Sequence, residues 1–414
     1  MTIKERFVPY SKADIVSICM NEGTLSSEES VLFNDVCSLI SSIYHFKFYS
    51  SLELLKESYA PVNPDLDTKL LHPRTDDDKV ELENSLVSEL KALLNAANFE
   101  EITQSDLERA LQEESLFKIK LNVDFNDFEQ VLFFRRGESI KQETLSSWLG
   151  LKKKTISFIN YDRVVIYVKY KDQQYFEQKK RKQLFFQPGS TIIKLFQNIP
   201  RADLEMLFPN TEVRMKTIDK LIIGVPAVVG GIIMLATKLG ATLLLTWTLV
   251  AFWLNMHQDP VILDQTALLG LAAGFGALGA FLWKQFSNFK NRKIQFMKTL
   301  TDSLYFKNLD NNTGVFHRLI DAAEEEECKE TILAYYFLLR AGSSLDVDDL
   351  DLEIERWFQS KYQCSFDFEI NDAITKLIDL GLVKQSGQQL SAIPLGDARL
   401  QLDALWDGYF EFDH

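Results

Sequence analysis

The sequence predicts an α+β protein anchored in a membrane, and three observations predict it. A charge-flanked apolar stretch runs from Lys220 to Lys284. Ahead of it, at Phe117, the apolar period falls from about 3.6 residues to 2, the change from helix to strand. Beyond it the helical period returns, and the chain closes in the order helix, helix, turn, hairpin, helix. The 414 residues divide on this basis into an N-terminal helical region (1–115), a basic β-rich unit (116–215), a transmembrane region (216–290), a second helical region (291–345) and an acidic C-terminal domain (346–414).

The net charge of −14 argues against nucleic acid as a bulk partner, because backbone binding needs a basic surface. Four cysteines, Cys19, Cys37, Cys328 and Cys364, lie far apart without zinc-site spacing, which fits a reduced compartment. The opening MTIKERFVPY has neither the apolar core of a secretory signal nor the character of a transit peptide, so the expected location is a bacterial membrane.

In the first region Ser26-x-x-Glu29 is a capping box, followed by Leu32, Val36, Leu39, Ile40 and Ile43 at helical spacing. Leu82, Leu86, Leu90, Leu93, Leu94 and Ala97 mark a second amphipathic helix. The segment between them, APVNPDLDTKLLHPRTDDD, reads as an exposed loop. Thr103 or Ser105 caps a short helix through Leu111. Strands are predicted at Phe117–Val123, Gln130–Phe134, Thr155–Lys169 and Thr191–Gln197, with a turn at Pro188-Gly189.

Arg135–Lys220 carries 18 Lys/Arg against 9 Asp/Glu, a net +9 inside an acidic chain. Its clusters, Lys152, Lys153 and Lys154, then Lys179, Lys180, Arg181 and Lys182, are candidates for contact with anionic lipid headgroups, at about 1 kcal/mol for each cation near the surface. The alternative is a solvated basic face.

A bilayer core of about 30 Å takes about 20 apolar residues per helix. The stretch holds LIIGVPAVVGGIIMLA, then LGATLLLTWTLVAFWL, a polar loop, and TALLGLAAGFGALGAFLW. Arg214, Lys216 and Lys220 precede it and Lys284, Lys290, Arg292 and Lys293 follow it, whereas the loop 257–265 has Asp259 and Asp264 and no Lys or Arg. The positive-inside rule places both flanks in the cytoplasm and predicts a transmembrane helical hairpin. A break at Lys238-Leu239-Gly240 would give three crossings instead. Lys238 is the one charge inside the run, either functional or snorkelling at a break. Ala227 and Gly231, then Ala272, Gly276 and Ala280, form small-residue faces that favour helix packing within the hairpin or in a homo-oligomer.

On the helix after the membrane, His317 and Asp321, and Glu324 and Cys328, stand four residues apart. Metal ligation on one side and a solvated acidic face are the two readings; a carboxylate dimetal site wants Glu-x-x-His pairs from more than one helix and nothing else in the chain supplies them, which favours the second. From Asp348 onward the element order resembles a winged-helix domain, with Gly387 in the wing turn. The segment from Asp346 holds 5 Lys/Arg against 15 Asp/Glu, the wrong sign for a DNA reader, so a protein partner is expected. The five histidines, His45, His72, His257, His317 and His414, are scattered. No catalytic, cofactor or metal set emerges.

RFVPYSKADIV, YHFKFYSSLELLKESYAPVNPDLDT, KLFQNIPRADLEMLFPNTEVRM, LYFKNLDNNTGVFHRLIDAAEEEECKETILAYY and LDALWDGYF together resemble the transmembrane protein 143-like family. That resemblance implies a membrane protein with a domain of unknown function and transfers no catalytic residue. The expected function is an interaction or regulatory protein that holds soluble domains at the cytoplasmic membrane face. Alternatives are a membrane-surface enzyme acting on lipid headgroups and a channel or transporter subunit.

Overall fold

The computed structural model describes residues 4–69, 75–112, 120–147, 152–179, 186–214, 228–229, 233, 240–254 and 265–409. The chain forms two compact units. One is assembled from three separated segments, Met1–Gln112, Phe125–Leu204 and Lys307–His414; the other takes Glu113–Asp124 and Glu205–Phe306.

The first unit begins with α1 (Lys12–Asn21), α2 (Ser27–Tyr59) and α3 (Asp76–Ala96). Both halves of the Ser26/Glu29 capping box form, and Thr75 and Asp78 make a second one. After β1 (Glu100–Glu101), α4 (Gln104–Gln112) is capped by Thr103, whose hydroxyl accepts the Asp106 N–H at 3.3 Å. A long antiparallel hairpin, β3 (Phe128–Ser147) and β4 (Lys152–Tyr170), then leads through α5 (Gln173–Gln178) to β5 (Thr191–Pro200). With β7 (Asn308–Asn311) they make an antiparallel sheet in the order β1-β3-β4-β5-β7. One face buries Phe134, Val165, Tyr167, Ile193 and Leu195 in the helical core, and Phe133, Val164, Ile166 and Phe196 alternate with them and are buried as well.

The long helix α8 (Thr313–Ala341) lies at the centre of this unit and is buried without interruption from Glu326 to Leu338. α1, α2 and α3 pack on it, as do α9 (Val347–Tyr362) and α10 (Ile370–Asp379). A small antiparallel sheet in the order β8-β10-β9, from β8 (Leu345–Asp346), β9 (Val383–Ser386) and β10 (Gln389–Ala392), and the final helix α11 (Leu395–Gly408) complete it. One hydrophobic core runs from Val8 to Leu402. The four soluble regions drawn from the sequence are therefore not separate domains: parts of each meet around α8, because a helix buried on every side needs more neighbours than one segment supplies.

In the second unit β2 (Lys120–Asn122) pairs with β6 (Glu212–Arg214). Its helices are α6 (Gly240–Trp253) and α7 (Gln265–Lys307). α7 is continuous over 43 residues, about 64 Å at 1.5 Å per residue. Within it Leu268–Asn288 is long and apolar enough to cross a membrane, and 6 % of that span is buried. A core helix of a soluble fold would be mostly buried. Trp247, Trp253, Leu269, Trp283 and Phe286 are all exposed.

The acidic face is solvated at His317 and Asp321, but further along the helix the charges enter the core. Glu326, Glu327, Lys329 and Glu330 are each at most 8 % exposed, and their charges are met from four other segments. The Lys376 ammonium on α10 binds Glu330 at 2.6 Å, Glu327 at 3.0 Å and Asp372 at 2.7 Å. Asn98 donates to Glu330 at 2.8 Å. Lys329 bonds Glu326 at 2.9 Å and the Val8 carbonyl at 2.6 Å. Arg136 on β3 lies 3.7 Å from Glu326 with its guanidinium over the rings of Phe7 and Phe99. Burial raises the Glu330 carboxyl to about 7, against the pull of Lys376 and Asn98. Burial disfavours the Lys376 cation, but Glu330, Glu327 and Asp372 outweigh it and hold Lys376 above the ordinary lysine value.

Lys376→Met leaves two buried carboxylates without their counter-charge and is expected to lower the unfolding free energy by about 3–5 kcal/mol in denaturant titration. Adding Glu330→Gln should recover part of the loss. A neutral single variant would show that this ion cluster does not hold α8 to α10.

Candidate functional site

The polar groups that converge on open space lie where α2 ends, β5 begins and β7 turns into α8. The loop after α2 is tied to β5 by two bonds: the Tyr59 hydroxyl donates to the Thr191 carbonyl at 2.8 Å, and the Thr191 N–H donates to the Val62 carbonyl at 2.9 Å. Asn63 then accepts the Asp65 N–H at 3.0 Å and fixes that carboxylate.

Opposite stands Asn312, with φ +51° and ψ −126°, a backbone combination ordinarily left to glycine at the first central position of a type II′ turn. Its N–H donates to the Ile193 carbonyl at 2.6 Å, its side-chain oxygen accepts the Ile193 N–H at 3.1 Å, and its amide nitrogen donates to Asp65. One side chain thus extends the β5–β7 ladder and joins it to the α2 loop. Asp310 closes over the first turn of α8, where a Cβ at Gly314 would collide with its carboxylate, and Arg318 binds the same carboxylate at 2.8 Å. The helix N-terminus is already met by the chain's own anion.

Two cavities adjoin at Asp65, Asn311 and Asn312, of about 710 Å³ and about 410 Å³. The larger is lined further by Phe186, Gln187, Ile192 and Lys194. Lys194 is half-buried, and its ammonium makes no hydrogen bond or ion pair with any described residue. Burial lowers its pKa from the ordinary lysine value, while Asp65 opposes the shift. The smaller lobe adds Lys56, Asn63, Asp67 and Thr313.

None of these residues stood out in the sequence. The α2 loop read as exposed. A single lysine between apolar strand residues, Ile193 and Leu195, was the available signal.

The sequence candidates are scattered. Lys152, Lys153 and Lys154 open β4 opposite Ser147, Ser146 and Leu145, at the loop end of the hairpin. Lys179, itself exposed, is bound to the fully buried Asp127 at 3.0 Å and to the Tyr175 hydroxyl at 3.0 Å, which gives its charge a partner within the chain. Lys180, Arg181, Lys182, Lys238, Ala227 and Gly231 lie outside the described residues. Ala272, Gly276 and Ala280 are exposed along α7. His317 and Asp321 are exposed; Glu324 bonds His45 at 2.9 Å, and Cys328 is buried. Among the described residues no three His, Cys, Asp or Glu side chains are grouped to hold a metal ion.

Residues 161–314 match a family model described as Protein of unknown function (DUF3754). The match starts in β4 and stops at Gly314, so it spans β5, the apolar stretch, β7 and the Asn312 corner. No solved structure matches the chain.

Asn312→Ala is expected to lower the unfolding free energy by about 2–4 kcal/mol, through lost hydrogen bonds and a strained backbone. Asn312→Gly, which relieves the strain, should cost about 1 kcal/mol less. Equal losses in denaturant titration would show that the backbone at this corner is unstrained.

Proposed function

We propose that the chain is a membrane-anchored interaction or regulatory protein, whose apolar stretch crosses the bilayer as a helical hairpin and holds the first unit at the cytoplasmic face. The observation that carries this reading is the pairing of β5 with β7, Lys194 opposite Asn311 and Leu195 opposite Asp310. Everything between Pro200 and Asn308, including the apolar helices, is an excursion between two hydrogen-bonded neighbours in one sheet. Chain that leaves a folded unit and returns to it must cross a bilayer an even number of times, which supports two crossings over three. The exposed apolar side chains of α6 and α7 support insertion, and kinship with the transmembrane protein 143-like family belongs to the same proposal.

The C-terminal elements support a winged-helix-like module that meets protein and not nucleic acid. α8, β8, α9, α10 and the β9–β10 hairpin follow one another with sheet order β8-β10-β9. The one lysine of α10, Lys376, is spent inside the core, so that helix offers no cation to a phosphate backbone. The basic clusters at 152–154 and 180–182 remain the candidates for anionic headgroups. An enzyme acting on headgroups is the second reading, favoured by the polar cavity alone.

Topology tests the proposal. The native thiols at Cys19, Cys37 and Cys328 are buried and Cys364 is half-buried, so single cysteines belong on a Cys364→Ser background. Glu28→Cys and Asp403→Cys should react with an impermeant maleimide from one side of sealed vesicles and Asp264→Cys from the other. Labelling of Glu28→Cys and Asp403→Cys from opposite sides would rule the hairpin out.

A further inference from the structure

We infer that the two-lobed cavity between the α2 loop, β5 and the Asn312 corner binds a small phosphate monoester that also carries a hydroxyl or amino group. Strand alternation carries the first half of the argument. Ile193 and Leu195 point into the helical core, so Lys194 between them points to the other face, into the larger lobe. The Asp65 carboxylate shares this lobe and acts on Lys194 without an ion pair between them, so a bound anion would give the half-buried ammonium the direct partner it lacks.

Further donors converge on the same lobe. The exposed side-chain amides of Gln187 and Asn311 line it and make no hydrogen bond with any described residue. An ammonium and two amides suit the several acceptor oxygens of a phosphate better than the two of a carboxylate. Phe186, stacked on Tyr170 at 3.9 Å, gives that lobe a flat apolar wall. The lobe, of about 710 Å³ and open to solvent, is larger than a bare anion, which leaves room for the rest of a phosphate ester.

The smaller lobe has the opposite character. Asp67, Asn63 and Thr313 line it, with Asp65 shared between the two lobes, acceptors for a hydroxyl or amine on the rest of the ligand. The N-terminus of α8 contributes little attraction, because Asp310 already covers it. Recognition rests on Lys194 and the amides, and it holds whether or not the apolar stretch enters a membrane. The phosphate could come from a soluble ester or from a lipid headgroup.

The test is calorimetric titration of the detergent-solubilised full chain with sn-glycerol 3-phosphate. Saturable binding is expected, weakened about ten-fold or more in Lys194→Met and kept within about three-fold in Lys194→Arg. Lys91→Met, which removes an exposed lysine paired with Glu101, should bind as the native chain does. Folding of each variant is checked by circular dichroism. Displacement of glycerol phosphate by dioctanoyl phosphatidic acid in mixed micelles assigns the site to a headgroup, and failure to displace assigns it to a soluble ester. Undetectable binding of both probes, or equal binding by Lys194→Met, overturns the inference.

Discussion

A charged helix that is buried on all sides constrains everything else in the first unit. α8 carries Glu326, Glu327, Lys329 and Glu330 through the core, and an ion left without a partner there costs several kcal/mol. The partners come from the N-terminal segment at Val8, the corner at Asn98, strand β3 at Arg136 and helix α10 at Lys376. These segments are distant in sequence and are brought together by one helix. The chain therefore folds as an interleaved unit, and neither the part before the apolar stretch nor the part after it has a complete core without the other.

The same interleaving explains the corner at Asn312. β7 joins the edge of the sheet beside β5, and the chain must turn at once from strand into α8. The strained backbone of Asn312 makes that turn, and its side chain replaces the ladder bonds that end there. The loop after α2 closes on the result through Asp65. A polar cavity is left between three segments that hydrogen bonds tie to one another, the rigid support that a binding site requires.

Local signals in the sequence were sufficient for local structure. The Ser26/Glu29 box starts α2, Gly189 and Gly387 take positive φ in their predicted turns, and Leu86, Leu90, Leu93 and Leu94 are the buried stripe of α3. The long-range relations were not legible. A run such as Glu324–Glu327 reads as solvated because charge is usually outside, and the counter-charges at Arg136 and Lys376 lie too far away in sequence to be assigned. Regions bounded by changes of period looked like domains, although one core passes through several of them. The cavity was hidden for a related reason: Asn63, Asp65, Lys194 and Asn311 acquire meaning only when their segments meet.

The interleaved fold is tested most directly by joining its two halves across β5 and β7. Lys194→Cys and Asn311→Cys, facing partners in the register, would be oxidised in the full chain, with a protease site placed in the 255–264 segment. After cleavage and denaturation, the halves should stay covalently linked in the double variant and separate in each single one. Halves that separate in all three would contradict a unit built from chain on both sides of the apolar stretch.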